Sequence, residues 1–185
     1  MANYLEEIEQ LSLSVEDLID SEPPIIINTL TRNLEVQSGF NTQIAVEGDL
    51  SANEVSFECD RYIEGYDVFG TDSAYVVWKN NAENTEGAYL VSNRELIGTD
   101  KFGFSWLISN EVAHKAGKIE CSVCFIEYAD AERTIISYKW ASNPLTDLKV
   151  GVGVPNTDID NKEIIEEGDF ERDPAEIVAR PLLED

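Results

Sequence analysis

Two stretches of the chain alternate apolar and polar residues with a period of two, the pattern of a β-strand with one buried face. The first runs over residues 101–109 and the second over residues 118–128. Their apolar positions are Phe102, Phe104, Trp106 and Ile108 in the first stretch and Ile119, Cys121, Val123 and Phe125 in the second. Ala116-Gly117 gives a turn signal in the connection between them. We therefore predict two core strands that carry much of the aromatic content of the interior.

Shorter strand patterns fill most of the remaining central region. The predicted strands cover residues 25–27, 43–46, 54–59, 74–79, 87–92, 134–140 and 148–154, and residues 33–37 either continue the first strand or return from it. Turn signals recur about every 8–12 residues, which is typical of an all-β sandwich and not of alternating βαβ units. The fold-class prediction is an antiparallel β-sandwich. Its predicted core residues are Phe57, Trp78, Phe104, Trp106, Ile119, Val123 and Phe125.

The segment over residues 60–70 interrupts the strand patterns with an irregular, aromatic-rich sequence. We predict that Tyr62, Tyr66 and Phe69 close one end of the core. Arg61 and Asp67 bracket the two tyrosines, and an ion pair between them is predicted to fix the segment.

The N-terminal residues 1–22 have a helical pattern. Apolar residues recur at three- and four-residue steps, at Leu5, Ile8, Leu11, Val15 and Leu18. Such a stripe favours an amphipathic helix, and a capping-box pattern at Ser14 suggests a break near Ser12. Pro23-Pro24 ends the helical pattern. We predict an arm whose stripe docks on a partner; a solvated chain end is the alternative.

The net charge of −24 is concentrated at the two ends of the chain. Residues 1–22 carry seven acids and no base, and residues 155–185 carry eleven acids and three bases. This distribution disfavours nucleic-acid binding, which needs clustered lysine and arginine, and it suits contact with basic partner surfaces. The sequence has no long apolar run, so we predict that it contains no membrane span and no signal peptide. The predicted parts are the helical docking arm (1–22), the sandwich (23–154) and an acidic tail (155–185), extended or in short helices.

Few residues suggest catalysis or metal binding. The only histidine, His114, lies in a hydrophilic connection and is predicted to be a surface residue. A serine or cysteine nucleophile would therefore lack a neighbouring general base for hydrolysis. Cys121 and Cys124 form a C-x-x-C pattern, but positions i and i+3 of a strand point to opposite faces. Together with Cys59 they are predicted to be packed, reduced thiols. We expect neither enzymatic activity nor a cofactor.

Two further patterns have an ordinary and a functional interpretation. In the tail, Asn156, Asp158, Asp160 and Glu167 match four positions of a calcium loop, although Asn161 replaces the usual glycine, so a solvated acidic segment is preferred to weak calcium binding. The tryptophans are either a carbohydrate platform or core residues, and core packing is preferred because each lies in an apolar strand. They are Trp78, Trp106 and Trp140.

Turn glycines and core aromatic residues of this chain match those of a known family. The resemblance is carried by Gly48-Asp49, Asn53 to Phe57, Arg61-Tyr62 with Gly65 and Asp67, Gly87-Ala88-Tyr89, Phe104 to Ser109, Gly117-Lys118-Ile119 and Cys121-Ser122-Val123. Over residues 27–154 the chain resembles the immunoglobulin-like or jelly-roll-like N-terminal domain of baseplate upper proteins and related fibre proteins of tailed phages of Firmicutes-type hosts. The resemblance implies a scaffold role in the virion with no catalytic residues. Fibre-type relatives continue into a long helical or receptor-binding region, whereas this chain has a short acidic tail, which favours a stand-alone decoration or adaptor subunit.

The expected function is therefore a non-enzymatic structural component of a phage particle, assembled in the host bacterial cytoplasm and located in the virion. Its place is either the baseplate and tail or the capsid surface. The expected partners are capsid or tail subunits and further copies of the chain in a homo-oligomer, with neither nucleic acid nor membrane. The alternative is a carbohydrate-binding sandwich that contacts host glycans, which predicts at least one exposed tryptophan in a shallow groove.

Overall fold

The computed structural model describes residues 22–51 and 53–153, which form thirteen β-strands and one short helix. The elements are β1 (Ile25–Ile27), β2 (Leu34–Glu35), β3 (Gln43–Val46), β4 (Glu54–Asp60), β5 (Tyr62–Ile63), β6 (Tyr66–Asp67), β7 (Ser73–Asn80), β8 (Thr85–Leu90), β9 (Arg94–Ile97), β10 (Lys101–Leu107), α1 (Asn110–Ala113), β11 (Gly117–Tyr128), β12 (Ile136–Ala141) and β13 (Leu145–Gly151). The all-β class predicted from the sequence is confirmed.

The strands form two large sheets and one small hairpin. The first sheet has the order β2-β1-β4-β10-β9, and the second has the order β3-β13-β11-β7-β8. The long strand β11 pairs with β13 along its first part and with β12 along its second part. Strands β5 and β6 pair only with each other. The two strands with the clearest alternation, β10 and β11, thus belong to different sheets.

Both large sheets are mixed, so the prediction of wholly antiparallel pairing is wrong at two places. Strand β1 runs parallel to β4, and β3 runs parallel to β13. A parallel pair needs a crossover between its strands. The chain supplies one for β1 and β4 by passing through β3 in the other sheet, a path that no local pattern encodes.

The inner faces of the two sheets meet around Phe125. Its ring lies 5.8 Å from Phe102 and 6.3 Å from Phe104, both on β10 of the first sheet. On its own side, Phe125 stacks at 5.8 Å on Trp140 of β12. Since all four side chains are buried, these contacts bind the two sheets into one aromatic core.

The segment over residues 60–70 agrees with its prediction only in part. Phe69 packs against the core, with its ring centroid 5.5 Å from that of Phe102. Tyr62 is 49% exposed and Tyr66 36% exposed, so the two tyrosines do not close the core. Strands β5 and β6 form a hairpin whose loop residues, Glu64 and Gly65, both have positive φ (51° and 83°), as a type I′ turn requires. Alternation from this turn directs Ile63 inward, where it is only 3% exposed.

Three further strands differ from their predictions. Strand β9 was not predicted, because RELI is too short to show a period. Strand β13 begins at Leu145, three residues before the predicted start. Residues 33–37 return as β2, antiparallel to β1, which resolves the alternative left open by the sequence.

Candidate functional site

The predicted partner-docking arm lies outside the described residues, which begin at Glu22. Its stripe residues are Leu5, Ile8, Leu11, Val15 and Leu18. The acidic tail from residue 155 and its calcium-loop pattern also lie outside the described residues. Neither prediction is tested by the structure.

All seven side chains named as core residues are buried. Phe57 on β4 and Phe104 on β10 stack across their strand pair with ring centroids 5.2 Å apart. The exposed fractions are 1% for Phe57, 5% for Trp78, 5% for Phe104, and 0% for Trp106, Ile119, Val123 and Phe125. These residues hold the body together and present nothing to a ligand.

The tryptophans give no support to a glycan platform. Trp78 and Trp106 are buried, and so is Trp140, which is 3% exposed and lies under the guanidinium of Arg32 at 5.4 Å from the ring centroid. The preferred interpretation of the tryptophans as core residues is therefore confirmed, and the exposed tryptophan that the glycan-binding alternative predicts is not found. Trp78 faces Gly87 on β8 so closely that an added Cβ at Gly87 would come within 2.7 Å of the indole.

The three cysteines are buried, free thiols, as the sequence predicts. Cys121 points inward from β11 and Cys124 points to the outer face of the same strand, since residues three apart on a strand diverge. Burial raises the pKa of the Cys121 thiol to about 12 and also raises the pKa of Cys59. At neutral pH these thiols are protonated and unsuited to nucleophilic attack. Within residues 22–51 and 53–153 no three metal-ligating side chains converge.

His114 lies on the surface, as predicted. It follows α1, its side chain is 64% exposed, and its Nδ1 lies 2.8 Å from a carboxylate oxygen of Glu83. This contact joins the loop after α1 to the β7–β8 turn, which is a structural use for the ring.

The predicted pair between Arg61 and Asp67 is present and anchors the β5–β6 hairpin. The Arg61 Nη2 donates to Asp67 Oδ2 at 2.8 Å, and Nε donates to both carboxylate oxygens at 3.2 Å. The guanidinium also lies over the rings of Tyr62 and Phe69, at 5.2 and 5.6 Å from their centroids. Hydrogen bonding from Arg61 lowers the pKa of the Asp67 carboxyl below its ordinary value of 3.8.

Replacing Arg61 with glutamine is expected to return the pKa of Asp67 toward 3.8. Because the folded pKa is depressed, the pair stabilises the fold above the unfolded pKa, and that contribution is lost as pH falls through the folded pKa. A carboxyl NMR titration of both proteins measures the shift. As a control, Lys101→Gln removes the exposed pair with Glu58 and leaves the titration of Asp67 unchanged. Equal Asp67 pKa values in the wild type and Arg61→Gln would contradict the assigned cause.

The outer face of the first sheet carries an acidic groove of about 520 Å³. Ser56, Gly103 and Ser105 form its floor, because small side chains at facing positions of β4 and β10 leave space above the sheet. Its lining also includes Glu22, Glu54, Glu58, Glu95 and Ile97. Among the described residues, the one base on this face is Lys101, which is paired with Glu58 at 2.8 Å. The groove therefore presents negative charge.

The outer face of the second sheet differs in charge and polarity. Alternation on β7 and β11 turns Trp78 and Val123 inward, so the residues between them point outward. We call this surface the lysine face. It comprises Lys79, Lys118, Lys139 and Lys149, the acids Glu86, Glu120 and Asp147, and Tyr75, Val77, Ala88, Leu90 and Cys124. Val77 is 41% and Leu90 53% exposed. Lysines and acids together thus surround an apolar centre.

The fold and these surfaces define the class: an all-β protein of two mixed sheets, with buried, protonated thiols and two outer faces that differ in charge. No protein-family model matches the chain, and no curated protein matches it. In the part of the chain that the structure describes, no helix is long and apolar enough to cross a membrane.

The lysine face was missed by sequence reasoning. Its signal was present, since Lys79 follows Val77 by two residues in a strand that is apolar on both faces. The four lysines are spread over seventy residues, however, and only the strand order brings them onto one surface.

Proposed function

We propose that the chain is a non-enzymatic structural subunit of a tailed-phage particle, built on an immunoglobulin-like or jelly-roll-like sandwich. It occupies either the baseplate and tail or the capsid surface as an adaptor or decoration subunit. Its terminal arms bind other virion proteins and further copies of the chain. The family resemblance over residues 27–154 supports the assignment to a phage particle. The outer surfaces of the described body support the role of a subunit.

The observation that carries this proposal is the presence of exposed apolar side chains on both outer faces. Val77 and Leu90 project from the second sheet, while Ile97 (48% exposed) and Leu107 (37% exposed) project from the first. Single exposed apolar residues are ordinary, but apolar groups on opposite faces suit a subunit with a neighbour on each side. Such head-to-tail contacts close into rings when the rotation between copies permits.

The interior suits the same role. The core is aromatic and continuous between the sheets, and the buried thiols are protonated. A body of this kind transmits contact forces without internal rearrangement, because tightly packed interiors have low compressibility.

The test compares the full chain with a variant lacking residues 1–21. We expect the full chain to sediment as an oligomer and the truncated chain as a monomer whose tryptophan fluorescence is unchanged, because Trp78, Trp106 and Trp140 all lie in the body. In a matched control, Ile8, Leu11 and Val15 are replaced by serine so that the arm keeps its length and its acids; this variant is also expected to be monomeric.

Two results would contradict the proposal. The first is a full chain that remains monomeric at every accessible concentration, together with phage particles from the producing host that an antibody against the chain does not label. The second is saturable binding of host wall polysaccharide by that monomer, which would favour the glycan-binding alternative.

A further inference from the structure

The second sheet ends at β8 in a free backbone edge. Among the described residues, β8 pairs with β7 alone. The amide of Val91 donates to the carbonyl oxygen of Ala74 on β7 at 2.9 Å. Because hydrogen-bonding groups alternate in direction along an antiparallel strand, the odd-numbered residues of β8 bond to β7 and the even-numbered ones point away from it. The N–H and C=O groups of Glu86, Ala88 and Leu90 therefore lie along the free edge.

This edge lacks the features that usually protect the edge of a sheet. Proteins protect such edges with very short strands, lysine, proline and β-bulges. The six residues of β8 include neither lysine nor proline, and the pairing of β8 with β7 is regular. The edge strands β2, β3 and β9 have only two, four and four residues, and β12 carries Lys139 and pairs across a register shift. Of the described strands, β8 therefore offers the best edge for a further strand.

The side chains at this edge also suit a further strand. Ala88 lies opposite Val77 on β7, and both side chains are exposed on the outer face, as is that of Leu90. Glu86 is the one charged residue of β8, and it lies opposite Lys79. A strand added beside β8 would therefore meet apolar side chains and a single charge.

We propose that β8 pairs antiparallel with β8 of a second copy of this chain, about a twofold axis at Ala88. In this register Ala88 faces Ala88 of the second copy, and Glu86 faces the Leu90 of that copy. All the outward N–H and C=O groups of both edges are then paired, in about six hydrogen bonds. No like charges face each other, because each Glu86 faces a leucine. This self-complementarity favours a second copy over an unrelated strand, since a twofold contact uses the same patch on both partners.

The edge contact is small and depends on the arms. A ladder between two six-residue strands buries far less than the roughly 800 Å² per partner of a stable interface. The inference therefore rests on the proposed function: the arms bring copies together and raise the effective concentration at which their edges meet. A chain without residues 1–21 stays monomeric at micromolar concentration although its edge is intact. Twofold contacts combined with head-to-tail contacts give a dihedral assembly.

Cysteine substitutions in the full chain test this pairing. Facing Cα atoms of a hydrogen-bonded pair lie about 5.5 Å apart, which is within the range of a disulfide. Under mild oxidation, Ala88→Cys is expected to form linked dimers about tenfold faster than Leu30→Cys, because pairing holds the two thiols together. Leu30 is the control because it is 94% exposed and lies in the β1–β2 turn of the other sheet. The native cysteines are buried, and the wild type gives their background.

Two further variants test the register. Glu86→Cys alone and Leu90→Cys alone are expected to link as slowly as Leu30→Cys, since each residue lies about 13 Å along the strand from its counterpart. An equimolar mixture of the two is expected to link rapidly, because residues 86 and 90 face each other. Adding Ala88→Pro to both chains should abolish this link, because proline removes the central N–H and places its ring on the pairing edge. Unchanged tryptophan fluorescence would show that the proline variants fold.

The outcomes separate this inference from the proposed function. If the full chain is an oligomer but Ala88→Cys links no faster than Leu30→Cys, the edge pairing is overturned and the proposed function stands. If Ala88→Cys links rapidly but the mixture of Glu86→Cys and Leu90→Cys does not, the twofold register is overturned. A full chain that is monomeric at every accessible concentration, with no rapid linking of Ala88→Cys, overturns both.

Discussion

Replacing Phe125 with alanine is expected to lower the free energy of unfolding by about 3–5 kcal/mol, the usual cost of truncating a fully buried phenylalanine. Phe125 is 0% exposed and contacts rings of both sheets, with Phe102 and Phe104 on one side and Trp140 on the other. The cavity would open where the sheets meet, and the surrounding strands cannot collapse into it without breaking their pairing. Urea unfolding followed by tryptophan fluorescence measures the loss.

The control for this substitution is Leu30→Ala. Leu30 is 94% exposed, so the change removes a similar apolar group with a stability effect within about 0.5 kcal/mol. A Phe125→Ala protein as stable as the Leu30→Ala protein would show that the two sheets do not share one core.

The second large effect is expected at Asn80, a polar side chain that is 0% exposed at the end of β7. Its Nδ2 donates to the carbonyl oxygens of Val112 (3.0 Å) and Lys115 (2.9 Å), and its Oδ1 accepts from the amide of Ala82 at 3.0 Å. One side chain thus ties α1 and the following loop to the second sheet. Asn80→Ala leaves these backbone groups unpaired and is expected to cost about 2–4 kcal/mol.

Asn80→Asp adds a pH dependence to this loss. The introduced carboxylate would be buried and would face two carbonyl oxygens, so its folded pKa would lie above its unfolded value. The destabilisation is therefore smallest below the unfolded pKa of about 3.9 and grows as pH rises above it. Thermal unfolding of Asn80→Asp at several pH values measures this trend. Asn81→Ala, which removes one exposed hydrogen bond to Glu120, is the control, and a pH-independent loss in Asn80→Asp would contradict the burial argument.

Strand identity was largely readable from the sequence because alternation is a local property. The pattern over residues 54–59 predicted that Val55 and Phe57 are buried, and they are. The same holds for β10 and β11, whose apolar positions carry the core. Short strands such as β9 were not readable, since a four-residue segment has too few positions to show a period.

The candidate site was readable only in part. The ion pair between Arg61 and Asp67 was predicted because both residues belong to one short segment. The exposure of Tyr62 was not, because the direction of a side chain in a hairpin depends on the turn, and the turn at Glu64-Gly65 carries a non-glycine residue at positive φ. The arm's stripe stays a prediction, since residues 1–21 lie outside the described part.

The sequence by itself determined the class of this protein, the inward residues of its main strands and the concentration of acid at its ends, because each depends on residues close together in the chain. The tertiary structure decided which strands are neighbours. It placed β10 and β11 in different sheets, made two pairings parallel, and collected Lys79, Lys118, Lys139 and Lys149 on one outer face. The physical reason is that strand order depends on crossovers between the sheets, which are set by packing over the whole core and leave no local pattern.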